Sequence, residues 1–311
     1  MSDVAADATG VAMHATRCAI CNTADAATEL YPANFDAGAL NAAVFSARRL
    51  PDRVHFRMVT CDACGLVRSD PVAASSVLGR LYKESAFNYG DEVANLQRTY
   101  GRYLAELEEL GVRKGRLLEI GCGNGFFLEE AAAQGYADVR GVEPSRAAVA
   151  AASPERRPGI VCDVMRPGLF DAASFDVICL FQVLDHLPEP AALLDECFRL
   201  LRPGGLMLCL NHDVGALSAR VLRDRSPIVD IEHTYLYDRR TMARLFAGRG
   251  FRVRRVRGAR NTYTLQYVAR LVPLPSALKR GVLGALRATR LGRARVAVAL
   301  GNQYLVAQKP A

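Results

Sequence analysis

Apolar and polar positions divide the chain into three stretches. From about residue 115 onward, short apolar runs alternate with amphipathic ones, which predicts strands alternating with helices. The strand-like runs are "RLLEI" (116–120), "DVRGVE" (138–143), "GIVC" (159–162), "FDVICLF" (175–181), "GLMLCLN" (205–211), "FRVRRV" (251–256) and "NQYLVAQ" (302–308). Between them, "GFFLEEAAAQG", "SRAAVAAA", "PAALLDECFRLL" and "DRRTMARLFAGRG" read as helices. This alternation predicts an α/β fold built on a doubly wound parallel sheet. Ahead of it, "LQRTYGRYLAELEEL" (96–110) repeats its apolar residues at three and four, which places a helix within 76–110. Residues 17–70 are instead rich in turn formers, with strand-like pieces such as "VHFRMVTC". The domain expectation is a disordered leader over 1–15, a small domain over 16–75 and a large domain over 76–311. Within the large domain the core spans about 95–260, a basic helical insertion fills 274–300, and the last strand covers 301–308.

Charge changes this picture at one end. Residues 1–219 hold 20 Lys/Arg against 28 Asp/Glu, whereas residues 220–311 hold 20 against 4, and no acid follows Asp238. A basic end of this kind suits nucleic acid, a membrane surface or a phosphorylated substrate, and equally a solvated Arg-rich surface. The N-terminal "MSDVAADATG" has no basic n-region, and no apolar run reaches the length of a spanning helix. A soluble cytoplasmic protein is therefore expected.

Nine cysteines occur, and four of them form two C-x-x-C units: Cys18 and Cys21 in "CAIC", and Cys61 and Cys64 in "CDACG". Four thiolates in paired spacing suit a closed tetrahedral zinc site. Gly65 after the second pair, and Asn22 after the first, tolerate the positive φ that turns backbone N–H groups toward sulfur. Iron–sulfur ligation is the alternative; a redox pair accounts for one unit but not both. The five remaining cysteines fall singly in apolar patterns and read as small core residues.

The densest chemical signal is "LLEIGCGNG". Gly121, Gly123 and Gly125 follow a strand that closes on Glu119 and lead into a helix. A dinucleotide site uses G-x-G-x-x-G to bring backbone amides to a pyrophosphate. A carboxylate at the same turn repels a diphosphate and suits a cationic, phosphate-free cofactor such as S-adenosylmethionine, with its α-ammonium beside a sulfonium. Glu143 closes the next strand, where an acid can accept ribose hydroxyls, and Asp163 follows the third, where it can hold an adenine amino group or cap a helix.

The ordered series "LLEIGCGNG", "VRGVEP", "CDV", "FDVICLFQVLDHL" and "LLRPGG" resembles class I S-adenosylmethionine-dependent methyltransferases over residues 95–260. The resemblance implies a Rossmann-like seven-stranded sheet preceded by a zinc-ribbon-like N-terminal domain, with the cofactor at the carboxyl ends of the first strands. It places Glu119, Gly121, Gly123 and Gly125 at the methionyl end, Glu143 at the ribose, Asp163 at the adenine, and Phe181 or Gln182 beside the sulfonium. A four-cysteine region before such a core resembles bacterial enzymes that methylate sugars, nucleotide sugars or specialised metabolites.

Methyl transfer to a hydroxyl also needs a base. Asp185, His186, His212, Asp213, Glu232 and His233 fall in the loops that leave strands four and five. His233 is the favoured base, with His212 and His186 behind it. Phe87, Tyr89, Tyr235 and Tyr237 are candidates to stack on an acceptor or to pack the core. The expected partner is a small polar acceptor, phosphorylated or sugar-linked. An RNA methyltransferase reading through the zinc ribbon and basic tail is the second function, lowered by the lack of an Arg–aromatic stretch near the ribbon. A non-catalytic cofactor-binding module is the third.

Overall fold

The computed structural model describes residues 13–34, 54–74, 77, 92–272 and 274–311. In chain order the N-terminal region gives β1 (Met13–His14), β2 (Ala27–Tyr31), β3 (Met58–Cys61), β4 (Val67–Ser69) and β5 (Val72–Ala73). The large domain opens with α1 (Val93–Ala105), then runs β6 (Arg116–Ile120), α2 (Phe126–Ala133), β7 (Asp138–Val142), α3 (Arg146–Ala150) and β8 (Ile160–Val161). It continues through β9 (Phe175–Phe181), α4 (Pro190–Leu200), β10 (Leu201–His212), α5 (Leu217–Leu222), β11 (Tyr235–Leu236) and α6 (Arg239–Gly248). The chain closes with β12 (Arg252–Thr264), α7 (Leu265–Leu271), α8 (Ser276–Ala288) and β13 (Arg295–Gln308).

Seven strands form one sheet in the order β12-β13-β10-β9-β6-β7-β8. The pairs β10–β9, β9–β6, β6–β7 and β7–β8 are parallel, and β13 lies antiparallel between β10 and β12. The expected Rossmann-like, doubly wound, seven-stranded sheet is what these residues build. The central strand β9 is buried along its whole length, as a parallel strand covered on both faces must be. Helices cover both faces: one core layer joins Leu118, Ile178 and Met207 to Leu194, Leu245 and Phe246, the other joins Leu117, Val177 and Leu208 to Tyr100, Leu104 and Phe127.

Several boundaries differ from the sequence expectation. Met13 and His14 pair with Ala73 and Val72, so an unstructured leader reaching residue 15 is not what the chain forms; residues 1–12 lie outside the described residues. The last strand starts at Arg295 rather than 301, and "FRVRRV" extends to Thr264, because β12 and β13 continue as a long antiparallel pair beyond the sheet. The basic insertion therefore shortens to α7 and α8, which pack on each other between those strands. Part of the helix expected within 76–110, together with Phe87 and Tyr89, lies outside the described residues. Of the cysteines expected in the core, Cys122, Cys179, Cys197 and Cys209 are buried, but Cys162 is exposed because it sits just past the end of the edge strand β8. The basic end is partly neutralised by acids placed far off in sequence: Arg255 meets Glu106 and Glu109, Arg239 meets Asp213, and Arg249 meets Asp195.

The small N-terminal region is not separate from the large domain. A four-stranded antiparallel sheet runs β11-β4-β3-β2, so a strand from the large domain completes it. Tyr235 and Leu236 face Arg68 and Val67 in that ladder, and the Tyr235 hydroxyl donates to the Arg17 carbonyl at 2.8 Å. Replacing Tyr235 by Phe removes that bond while keeping the ring buried. Urea unfolding should show a loss of about 0.5–1.5 kcal/mol; an unchanged midpoint would mean the hydroxyl does not tie the two regions together.

Candidate functional site

Parallel pairing of β6 with β7 and β9 brings three strand ends to one edge, with Ile120 opposite both Val142 and Leu180. The glycine turn opens at this edge. Gly121, Gly123 and Gly125 have φ of 77°, 54° and 75°, a left-handed conformation that residues with a Cβ rarely adopt. At Gly121 a Cβ would also lie 2.5 Å from Val183 Cγ2, so the turn and the loop after β9 meet in contact there.

Glu119, on the strand before the turn, is only 2% exposed, and its Oε2 is buried without a hydrogen-bond partner among the described residues. Burial, and then the nearby Glu143, hold its carboxyl well above the usual carboxylate range. The Asn124 Oδ1 in the turn and the Gln182 Oε1 at the end of β9 are likewise buried acceptors without a donor among the described residues. Gln182 holds a positive φ of 57° and donates through Nε2 to Asn302. Glu143 accepts the Gly123 amide at 2.9 Å on Oε2 and the Ser145 amide at 2.8 Å on Oε1, which leaves a further lone pair on each oxygen. Burial raises its carboxyl, and the two amides oppose the rise.

Two expected cofactor residues are placed less simply. The Phe181 ring is 6% exposed and stacked on Tyr100 at 4.1 Å, so it faces α1 and the core, and only its backbone borders the edge. Asp163 accepts the Val164 amide and pairs with Arg166, which organises the loop after β8. The remaining set fits an adenosylmethionine end-group well. Acceptor oxygens without donors suit an ammonium, and the first-turn amides of α2 carry no side-chain cap.

A second cluster stands on the same edge, after β9 and β10. Asp185 is 1% exposed, with His186, His212 and His233 around it. His186 Nε2 lies 3.6 Å from Asp185 Oδ1, and the Nε2 atoms of His212 and His233 each lie 3.9 Å from Oδ2. The rings are fixed from behind: His233 Nδ1 is 2.8 Å from the Ile228 carbonyl and His212 Nδ1 is 2.9 Å from Asn302 Oδ1. Burial lowers His186 and His212 to about 4, and the Asp185 charge only partly offsets this. Burial alone would raise Asp185, but the three imidazoles reverse that and hold it below its ordinary value.

The other candidates do different work. Asp213 accepts the Gly215 amide and the Arg239 guanidinium, which shapes the loop after β10. Tyr235 and Tyr237 are buried packing residues with no open face for an acceptor. Sequence reasoning missed Asn302, which faces His212 across the β10–β13 ladder, and Ser69, whose hydroxyl donates to the His233 carbonyl at 2.8 Å. The signal for Asn302 was the pairing of the last strand with the fifth; Ser69 had none, since its partner is 164 residues away.

Cys18, Cys21, Cys61 and Cys64 converge, with all four sulfurs within 4.8 Å of one another. Both knuckles close alike: the Asn22 amide donates to the Cys18 carbonyl and the Gly65 amide to the Cys61 carbonyl, each at 2.8 Å, with φ of 59° and 81° at Asn22 and Gly65. At Cys61, burial works to raise the thiol, but the Thr23 hydroxyl and the amides of Cys64 and Ala63 bring it down to about 6. The donor set is that of a zinc ribbon.

A family model described as a methyltransferase domain matches residues 93–256. A ubiquinone biosynthesis O-methyltransferase of Psychrobacter arcticus is 36% identical over 106 residues, covering 32% of this chain and 41% of the relative. One from Cereibacter sphaeroides is 40% identical over 100 residues, covering 30% and 40%. The chain thus spans about two fifths of the length of these relatives. Among solved structures, a SAM-dependent methyltransferase from Archaeoglobus fulgidus superposes with a TM-score of 0.47 at 16% identity, over 76% of this chain and all of that one.

The protonation of Glu119 gives a measurable sign. Its carboxyl is raised in the ligand-free protein, so an ammonium bound beside it would lower that value and expel a proton at a pH between the free and bound values. Affinity for S-adenosylhomocysteine should rise with pH across that interval, and calorimetry in buffers of different ionisation enthalpy should record proton release. Glu119→Gln should remove the pH dependence and weaken binding by about 2–5 kcal/mol. Binding with no proton release in the wild type would contradict this placement of the ammonium.

Proposed function

Because the chain belongs to the methyltransferase-domain family, whose model covers residues 93–256, we propose that it transfers a methyl group from S-adenosylmethionine to a hydroxyl of a small polar acceptor. The observation that carries the reading is the meeting of two features at one sheet edge: the glycine turn with its buried acceptor oxygens, and the Asp185–histidine cluster. Glu119, Gly121, Gly123 and Gly125 hold the methionyl end, Glu143 takes the ribose, the Asp163 loop borders the adenine, and Gln182 borders the sulfonium. The cofactor supplies an electrophilic methyl on a positively charged sulfur.

The residues of the chain do the rest. Holding donor and acceptor in line removes up to about 7–11 kcal/mol of the barrier. Activation of the hydroxyl, worth about 10²–10⁴-fold, falls to the cluster of His186, His212 and His233 around Asp185. The names of the matched relatives support an oxygen acceptor. The four-cysteine region supports the narrower class of sugars, nucleotide sugars and related metabolites. An RNA acceptor draws less support, since several of the basic side chains at the C-terminal end are already paired with acids.

Cys18, Cys21, Cys61 and Cys64 hold a structural zinc in this reading. It steadies β3 and β4, and through the Ser69–His233 bond it steadies the acceptor side. No helix among the described residues is long and apolar enough to cross a membrane.

Three outcomes test the proposal. With methyl-labelled cofactor and a cell extract, the purified protein should place the label on an oxygen of a small molecule, identified by mass spectrometry; label on RNA alone would overturn the acceptor class. His233→Ala should keep the wild-type affinity for S-adenosylhomocysteine and slow transfer by about 10²-fold or more. Elemental analysis should find one thiolate-bound zinc per chain, lost together with the β2–β4 sheet in Cys61→Ser.

A further inference from the structure

Three of the five histidines in the chain converge on one carboxylate, more than a single proton transfer requires. Their hydrogen bonds define what each ring presents. A carbonyl such as that of Ile228 can only accept, so His233 Nδ1 carries a proton, and in the neutral ring its Nε2 presents a lone pair. The Asn302 amide oxygen has the same effect on His212. His186 is tied through the Glu232 backbone. Both Nε2 lone pairs therefore face Asp185, whose two oxygens are buried and lack a hydrogen-bond donor among the described residues. Lone pairs facing lone pairs in a buried pocket repel unless a cation sits between them.

The distances suit an ion. Two ligands about 2.1 Å from a shared metal can stand no more than about 4.2 Å apart. The His212 and His233 Nε2 atoms are each 3.9 Å from Asp185 Oδ2, and the three donors lie within 4.8 Å of one another, so a small contraction closes the set. The arrangement behind the rings, each with its far nitrogen held by an oxygen acceptor, is the one that orients metal-binding imidazoles.

We propose that Asp185, His212 and His233 bind a first-row divalent cation at the acceptor side of the sheet edge. Two imidazoles and one carboxylate favour an ion such as Zn²⁺, Fe²⁺ or Co²⁺ over Mg²⁺. Three protein ligands leave positions open for the acceptor. This inference rests on the methyl-transfer reading of that edge and says how the hydroxyl is activated there. On coordination the acceptor O–H loses its proton to solvent. The oxygen then forms a bond to the methyl carbon, and the S–CH₃ electron pair returns to sulfur, giving S-adenosylhomocysteine. Asn302 is a positioning residue, setting the tautomer of His212.

Cobalt(II) is the probe. It is titrated into the full chain isolated with its thiolate-bound zinc, and followed by absorption and calorimetry. The expected result is one added cobalt per chain with weak ligand-field bands and no thiolate charge-transfer band. His212→Ala and Asp185→Asn should each weaken that cobalt at least tenfold, and Asn302→Ala by about 10–100-fold. His14→Ala, outside the cluster, should leave it unchanged. Each variant is also titrated with S-adenosylhomocysteine, and retained binding shows that it has folded. No added cobalt in the wild type, or equal affinity in His212→Ala and Asp185→Asn, overturns the proposal. Wild-type protein that binds cobalt but ignores S-adenosylhomocysteine would instead overturn the methyl-transfer reading, so the two failures are told apart.

Discussion

A carboxylate taken out of water with no donor beside it is the constraint on which this structure turns. Such a group is costly unless it is neutralised or paired. Among the described residues, Glu119 has one such buried oxygen, Oε2, and Asp185 has two, and both residues lie at the same edge of the central sheet. The first has Glu143 nearby and is held well above the usual carboxylate range, chiefly by its burial. The second is ringed by imidazoles, which hold it below its ordinary value. The two carboxylates thus sit in different electrostatic surroundings, which in the proposed reading suit an ammonium at Glu119 and a cation shared with the imidazoles at Asp185. In the proposed reading, a methyl donor with a cationic end and an acceptor that must lose a proton meet both.

The fold meets the cost of assembling this edge through its core. β9 is buried along its length between two packed layers, and its end carries both Gln182 and the loop to Asp185. The left-handed turn at Gly121 brings Val183 into contact with the glycine loop. Cofactor side and acceptor side are therefore a few residues apart on one rigid strand end. That is the placement in-line transfer requires.

The four-cysteine region belongs to the same mechanical unit. β11 completes its sheet, Ser69 bonds the His233 carbonyl, and the amides of Thr234 and Tyr235 both donate to the Asp185 carbonyl. A continuous hydrogen-bonded path thus runs from the cysteine cluster through β4 to His233. The N-terminal region is thereby tied to the loops that carry Asp185 and His233.

The glycine turn, the alternation of strands and helices, the two C-x-x-C units and the acids ending β6 and β7 were legible in the sequence. Each is a local pattern, in which backbone conformation or ligand spacing is set by residues a few positions apart. The knuckle glycine at Gly65 and its counterpart Asn22 were legible for the same reason. The orientation of Phe181 into the aromatic core, the engagement of Asp163 with Arg166, the early start of β13 and the exposure of Cys162 were not, since each depends on what packs alongside. Adjacency of Glu232 and His233 suggested nothing about the gathering of three histidines on Asp185. That cluster draws on the ends of two parallel strands and a loop that is pinned by a third region of the chain. Sequence settled which groups are available and where the backbone must turn. Only tertiary pairing, by aligning strand ends from distant segments and excluding water from them, decided which of those groups share a charge.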